Sequence, residues 1–307
     1  MATDRSFMNL VGCQLPIQSA SLGGPISTAP LAAAVSNAGG LGMMANPSPA
    51  EVPELVSGAR ALTNQPIGIG FLIPFVSVEA VKAAAASVEV VEFFYGDPDS
   101  HLVRLARADG AAAGWQVGSA AEATAATEAG CDYIVVQGIE AGGHVRGTQP
   151  LDEVLAETLA NADVPVVAAG GVGTSRRLDE LLAAGAAAVR VGTRFVAAQE
   201  ADAHPDYVAR LIAASEDDTV LTEAFRNGWP GAPHRVLGSA VEAAERFDGT
   251  VVAEVDGQEI DVFSPRPVTR GVRGEIAAMA LYAGQSVDHV TQIQPAAEIV
   301  AELTKTR

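Results

Sequence analysis

Three glycine-rich segments hold the residues that could do chemistry in this chain. They are QGIEAGGH at 137–144, AAGGVGT at 168–174 and VGTRF at 191–195. Glycine allows positive φ angles and a close approach of ligand to backbone, and free N–H groups at a helix N-terminus bind phosphate. Any one of these glycines alone is explained by a tight turn. Three such segments favour a phosphate-bearing ligand held by Gly170, Gly171, Gly192 and Thr193.

His144 is the candidate for catalysis because it follows two glycines in a loop rather than lying on a helix face. Histidine titrates near neutral pH and can donate or accept a proton. The other four histidines lie in predicted helices or in a polar segment, where we interpret them as structural: His101, His204, His234 and His289. No histidine pair or carboxylate cluster has the spacing of a metal site, so we predict no metal.

Eight short apolar runs are interpreted as strands, because they are rich in β-branched residues and apolar on both faces, as in a buried parallel sheet. They lie near 11–17, 41–45, 66–71, 88–95, 111–117, 132–137, 164–169 and 187–192. Alanine-rich helical segments alternate with them near 29–37, 50–62, 77–86, 98–108, 119–129, 150–161 and 174–184, with one more after Asp202. Ser77, Ser119 and Thr174 are placed to cap the first turn of three of these helices.

Eight strand–helix units within about 200 residues predict an α/β fold of the (β/α)₈ TIM-barrel type. A doubly wound open sheet is the competitor, but the first strand leads into SASLGGPIS instead of a GxGxxG turn. We predict that 1–200 and 276–307 form the barrel. We assign 201–275 to a smaller, mostly helical lobe or lid inserted near the C-terminus, with a short hairpin around Asp256-Gly257.

The composition excludes several classes of protein. The chain has 307 residues, 49% of them hydrophobic, and a formal net charge of −18. Such a charge repels nucleic acid and anionic membranes, so we predict neither as a partner. With two cysteines, no signal-peptide core and no uninterrupted apolar run of about 20 residues, we expect a cytoplasmic protein. A small-molecule substrate is the expected partner, and a homo-oligomer stays open.

Several motifs together resemble the nitronate monooxygenases, formerly called 2-nitropropane dioxygenases. They are VQGIEAGGHVRG, AAGGVGTSRRLDELLAAGAAAVRVGTRF, the early PLAAAVSNAGGLGMMA and the late ALYAGQSVDHV. The resemblance covers most of 10–300 and is weakest over 220–275. It implies an FMN-dependent barrel enzyme in which His144 is the catalytic histidine. It implies FMN contacts from Gln116, Gln137, Gly142, Gly143 and Ala169, and a phosphate site at Gly170, Gly171, Gly192 and Thr193.

Three positions depart from the family pattern. Gly70 stands where asparagine is usual, Arg190 replaces a glutamine at the end of strand eight, and 18–21 reads QSAS. We expect Arg190 to add a charge-assisted bond to the FMN phosphate. Arg146, near His144, is either a group that attracts anions or a solvated loop charge.

The resemblance implies oxidation of alkyl nitronates by FMN and O₂ to a carbonyl compound and nitrite. The alternative is an FMN-dependent NAD(P)H oxidoreductase that acts on an enoyl or acyl thioester or a related conjugated carbonyl. A cofactor-free barrel lyase or isomerase for a phosphorylated sugar is a third class, and it predicts a colourless protein instead of a yellow one.

Overall fold

Eight parallel strands close into a barrel in this computed structural model, which describes residues 6–305. The strands are β1 (Ile17–Ser19), β2 (Gly42–Ala45), β3 (Ile67–Leu72), β4 (Val90–Phe94), β5 (Ala112–Val117), β6 (Tyr133–Gln137), β7 (Val166–Ala169) and β8 (Ala188–Val191). β1 pairs with β8. On its other side the amide of Leu41 donates to the carbonyl of Ile17 over 2.8 Å, and the amide of Ser19 donates to Leu41 over 3.0 Å. The predicted TIM-barrel fold is confirmed.

The first strand differs from the prediction. We expected a strand near 11–17, but Ser6–Val11 is a helix, and β1 begins only at Ile17. Gly12 ends the helix with a φ of 79°. Phe7 lies edge-on against Tyr133 of β6, with ring centroids 5.2 Å apart. The apolar residues of this segment therefore cover the inside of the barrel as a helix, and a short apolar run cannot distinguish that from a strand.

The seven helices predicted between the strands are all present. They are Ala29–Asn37, Val52–Arg60, Val78–Ala85, Ser100–Arg107, Ala120–Glu128, Leu151–Leu159 and Ser175–Ala183. Ser77, Ser119 and Thr174 each accept a hydrogen bond from the first turn of their helix, as predicted. After β8 come a short helix, Thr193–Val196, and then Pro205–Ala213. The last helix, Ala296–Leu303, packs between the first and seventh barrel helices and so completes the outer ring.

Segment 201–275 contains strands as well as helices. Gly238–Arg246 is helical, and Val251–Val255 pairs antiparallel with Gln258–Asp261 around the predicted Asp256-Gly257 turn. Both turn residues have positive φ, 51° and 72°, as a two-residue hairpin requires. A second sheet joins Thr219–Thr222 and His234–Leu237 to the two-residue strand Gly143–His144 from the loop after β6. Within residues 6–305 no helix is long and apolar enough to cross a membrane.

The first barrel helix packs closely on β2 at Gly42. A Cβ at this position would lie 1.9 Å from the carbonyl oxygen of Ala32, which is part of a helix backbone and cannot move aside alone. We expect Gly42→Ala to lower the free energy of unfolding by about 3 kcal/mol, the upper end for overpacked cores. Urea unfolding of the variant and the parent protein measures this difference in the free energy of unfolding.

Gly58→Ala is the matched control for this prediction. Gly58 lies in the helix Val52–Arg60, and a Cβ there would meet the Cβ of Ala29, in the first barrel helix, at an ordinary 3.4 Å. Alanine is a better helix former than glycine by about 1 kcal/mol, so this variant should be neutral or stabilised. Equal unfolding midpoints for the two variants would contradict the packing argument.

Candidate functional site

A cavity of about 630 Å³ opens at the carboxyl ends of the barrel strands, where barrel enzymes place their active sites. All the predicted site residues line it: Gln116, Gln137, Gly142, Gly143, His144, Ala169, Gly170, Gly171, Arg190, Gly192 and Thr193. They come from four strand ends and the loop after β6. The structure therefore brings every residue of the predicted site to one cavity.

The turns after β7 and β8 form one wall of the cavity. Gly170 and Gly171 have φ angles of 118° and 66°, which side chains rarely allow. Gly192 precedes the short helix that begins at Thr193. The Thr193 hydroxyl accepts a hydrogen bond from the amide of Gly284 over 3.0 Å, so its own hydrogen remains available to a ligand. This wall offers backbone and hydroxyl groups to a ligand without crowding by side chains.

Gln137, at the end of β6, holds the loop that carries His144. Its side-chain amide donates to the carbonyl of His144 over 3.0 Å, and its Oε1 accepts from the amide of Arg146 over 3.2 Å. Gly142 lies against Gly284, whose nitrogen would be 2.4 Å from a Cβ on residue 142. The glutamine and the glycine therefore both set the course of this loop.

His144 lies in the strand that pairs with His234–Leu237, and aromatic rings surround its side chain. The imidazole stacks on Trp229 with ring centroids 4.0 Å apart, and the rings of Tyr95 and Tyr282 are each 5.6 Å away. Burial, with His234 as a second cause, lowers the pKa of His144 to about 3. Its Nε2 is buried and has no hydrogen-bond partner in the protein. At neutral pH the ring is therefore uncharged, with one nitrogen available to a ligand.

Trp229 is a cavity residue that the sequence reasoning missed. It lies between the strands Thr219–Thr222 and His234–Leu237, and its indole also contacts Phe75, at 5.0 Å between ring centroids. The signal was the segment NGWPGAP, which places a large aromatic side chain among turn residues, where no core requires one.

His234 has the structural role expected of it. Its Nδ1 is 2.9 Å from the carbonyl of Ala232, and its Nε2 accepts from the amide of Phe225 over 3.2 Å. These bonds fix both ends of the loop that carries Trp229. Burial lowers the pKa of His234, which keeps Nε2 free to accept this bond.

Arg190 is held by side chains inside the barrel, which argues against the phosphate contact that we expected of it. Its terminal nitrogens donate to the side-chain oxygens of Gln116, Gln18 and Glu92 inside the barrel, over 2.9 Å to Gln18. Glu92 lines the cavity and is a second residue that the sequence reasoning missed, since a single carboxylate inside an apolar strand gives no sign of its partner.

Gly70, where the family resemblance leads us to expect asparagine, lies beside Ser21. A Cβ at residue 70 would lie 2.3 Å from the Ser21 Oγ, so this serine fills the space that a side chain there would use. Ser21 Oγ is buried and has no hydrogen-bond partner in the protein.

Asn46, just after β2, is a third cavity residue that the sequence reasoning missed. Its φ of 42° is a conformation that asparagine tolerates well.

Arg146 is not available to attract anions. Its guanidinium donates to Glu122 over 2.8 Å and to Asp97 over 2.6 Å. It therefore belongs to a surface ion-pair network.

Among residues 6–305 no group of three or more His, Cys, Asp or Glu side chains could hold a metal ion.

The fold and cavity define a TIM-barrel enzyme with its site at the strand ends. A family model described as nitronate monooxygenase matches residues 5–87 and 75–306. The chain therefore belongs to the nitronate monooxygenase family, whose members are oxidoreductases and, in general, flavin enzymes.

Curated relatives carry two kinds of name. A nitronate monooxygenase from Pseudomonas aeruginosa is 32% identical over 289 residues, covering 76% of this chain and 81% of that protein. A (3aS,4S,5R,7aS)-5-hydroxy-7a-methyl-1-oxo-octahydro-1H-indene-4-carboxyl-CoA dehydrogenase from Rhodococcus jostii is also 32% identical, over 267 residues, covering 82% of this chain and 72% of that protein.

Two solved structures are similar over nearly the whole chain. FabK from Thermotoga maritima has a TM-score of 0.82 and 29% identity, covering 99% of this chain and 96% of its own. A nitroalkane oxidase from Streptomyces ansochromogenes has a TM-score of 0.79 and 27% identity, covering 98% of this chain and 99% of its own.

The lowered pKa of His144 predicts how stability depends on pH. Unfolded histidine has a pKa of about 6.5, so the unfolded chain takes up a proton below that pH while folded His144 does not until about 3. Stability is therefore lost as the pH falls from about 6.5 towards 3, by up to about 1.4 kcal/mol per pH unit.

We expect His144→Gln to lose less stability than the parent protein between pH 7.5 and 5, as measured by urea unfolding at each pH. His101→Gln, on an exposed helix position, is the control and should follow the parent. If the free energy of unfolding falls equally with pH for His144→Gln and the parent, folded His144 takes up its proton as readily as an exposed histidine, and the prediction is wrong.

Proposed function

We propose that this protein oxidises alkyl nitronates with FMN and O₂ to a carbonyl compound and nitrite. The observation that carries the proposal is His144, an uncharged imidazole with an unpartnered Nε2 beside a cavity with a glycine-rich wall. Membership of the nitronate monooxygenase family supports it.

The residues of the cavity fit FMN. Its volume of about 630 Å³ lies within the range of cofactor sites, roughly 300–1,000 Å³. Ser21 Oγ and His144 Nε2 are buried polar atoms without partners, and both residues line the cavity. In the proposal Gly170, Gly171, Gly192 and Thr193 hold the phosphate. The remaining contacts come from Gln116, Gln137, Gly142, Gly143 and Ala169. Bound FMN would supply the acceptor for electrons from the nitronate and pass them to O₂.

His144 has two roles in this proposal. Its neutral ring can accept the α-proton of a nitroalkane, because the negative nitronate formed beside it offsets the positive charge that the ring gains. Alternatively, it can donate a hydrogen bond to the nitro oxygens of a nitronate that has already lost that proton. The pairing with His234–Leu237 and the stack on Trp229 hold the ring in place. The aromatic rings around His144 stabilise a compact anion poorly. A nitronate suits them better, because its charge is spread over carbon and two oxygens.

Proton removal is tested with a matched pair of substrates. We expect His144→Ala to lower kcat/KM for a neutral nitroalkane by about 10²- to 10⁴-fold, the usual contribution of a general base. The loss should be smaller for propionate 3-nitronate, which has already given up its acidic α-proton. Nitrite release measures both rates, and His101→Ala should leave both unchanged. Equal rates for His144→Ala and the parent on the nitroalkane would exclude the proposed role.

The second candidate is an NAD(P)H oxidoreductase acting on an enoyl or acyl thioester. An apolar cavity mouth favours it, because Phe75 is 52% exposed and lies edge-on against Trp229, where an acyl chain could pack. The relative named as a carboxyl-CoA dehydrogenase supports the same reading.

Anaerobic titration separates the two candidates. Rapid bleaching of the flavin absorbance by propionate 3-nitronate, and none by NADH or NADPH, is the result expected from nitronate oxidation. Rapid bleaching by a pyridine nucleotide would favour thioester reduction instead. A protein that purifies colourless and does not become yellow with added FMN would exclude both.

A further inference from the structure

A buried ion pair forms part of the cavity floor, and the proposed reaction uses neither of its members. Arg190, on β8, is 5% exposed, and Glu92, on β4, is 2% exposed. Their side chains are in direct contact, and both residues line the cavity. Charges at this depth interact strongly with their surroundings, because solvent and salt screen them little. The pair is therefore placed to influence whatever ligand covers the floor.

The groups around the pair are arranged to hold it in place. Tyr133 donates its hydroxyl to Glu92 Oε2 over 2.8 Å, and the Gln18 amide donates to the same oxygen over 3.1 Å. Gln18 Oε1 and Gln116 Oε1 accept from Arg190. Glu92 therefore accepts every hydrogen bond in which it takes part, which is the behaviour of an ionised carboxylate. The Nε of Arg190 has no hydrogen-bond partner in the protein.

The position of the pair relates it to the proposed flavin. One cavity joins the turns after β7 and β8, the loop with His144 and the strands on the far side of the barrel mouth, so a ligand that is held by its phosphate at those turns and fills this cavity lies against residues of β4 and β5 as well. Gln116, Glu92 and Arg190 line the cavity from β5, β4 and β8. Two-electron reduction with uptake of one proton leaves one negative charge on a flavin. A cation below the ring favours that reduced state, and a carboxylate beside the cation offsets it.

We propose that Glu92 sets the effective charge of Arg190 beneath the bound flavin, and that this buried pair tunes how readily the flavin is reduced. The inference rests on the proposed binding of FMN. In this chain the pair would keep the cofactor harder to reduce than an unpaired arginine would. Arginine does not lose its proton in proteins, so removal of the glutamate charge leaves a full positive charge.

The test is the midpoint potential of the FMN-loaded protein, measured by anaerobic equilibration with a reference dye at pH 7. We expect Glu92→Gln to shift the reduction equilibrium towards reduced flavin by tenfold or more, which is a rise of about 30 mV or more for a two-electron couple. The double variant Glu92→Gln with Arg190→Gln removes both charges, and its potential should return towards the parent value. Glu92→Ala, which leaves room for water, replaces Glu92→Gln if that protein does not fold.

Glu302→Gln is the matched control. Glu302 pairs with the buried Arg194, but neither residue lines the cavity. This variant should leave the potential unchanged. If Glu92→Gln, Glu92→Ala and the double variant all bind FMN with the parent potential, the pair is structural only and the inference is overturned. If the parent protein binds no flavin, the proposed function itself fails, which is a distinguishable result.

Discussion

The antiparallel pairing of Gly143–His144 with His234–Leu237 is the contact on which the site depends. It joins the loop after β6 to a strand from segment 201–275, so that a residue on a glycine-rich loop gains a fixed position. Arg235 strengthens the connection by donating to the carbonyl of Ile139 over 2.9 Å. Without this pairing, two glycines before His144 would leave its ring free to adopt many orientations. With it, the imidazole lies against Trp229, and burial keeps it uncharged.

The charge of the cavity is set independently of the charge of the whole chain. The protein carries a formal net charge of −18, yet Glu92, at the cavity floor, is matched by Arg190. Arg146, the cation nearest His144 in sequence, is occupied by Glu122 and Asp97. Because screening weakens the effect of distant surface charges, buried groups of this kind dominate the field at a ligand. A site for delocalised anions or conjugated carbonyls is compatible with such a balance.

Four positions at which the family resemblance leads us to expect other residues contact one another in pairs. Ser21 occupies the space beside Gly70, and Gln18 accepts a hydrogen bond from Arg190. Each pair joins the end of β1 to a different strand of the barrel. A close-packed interior requires this, because a larger or charged side chain at one position must be offset by a smaller or complementary one at its neighbour. The residues at positions 18 and 21 are therefore explained by the same contacts as those at 70 and 190.

The sequence by itself determined the order of the barrel strands and helices from β2 to β8, the caps of three helices and the glycine-rich strand ends that line the cavity with His144. These features are local, because side-chain periodicity, capping and positive φ depend on residues within a few positions of one another. Tertiary structure alone decided that Ser6–Val11 covers the barrel as a helix, that Trp229 stacks on His144, and that Arg190 pairs with Glu92. Each of these three contacts forms only when the barrel closes and brings distant segments of the chain together. Spacing along the sequence does not show which of several possible partners a side chain will contact.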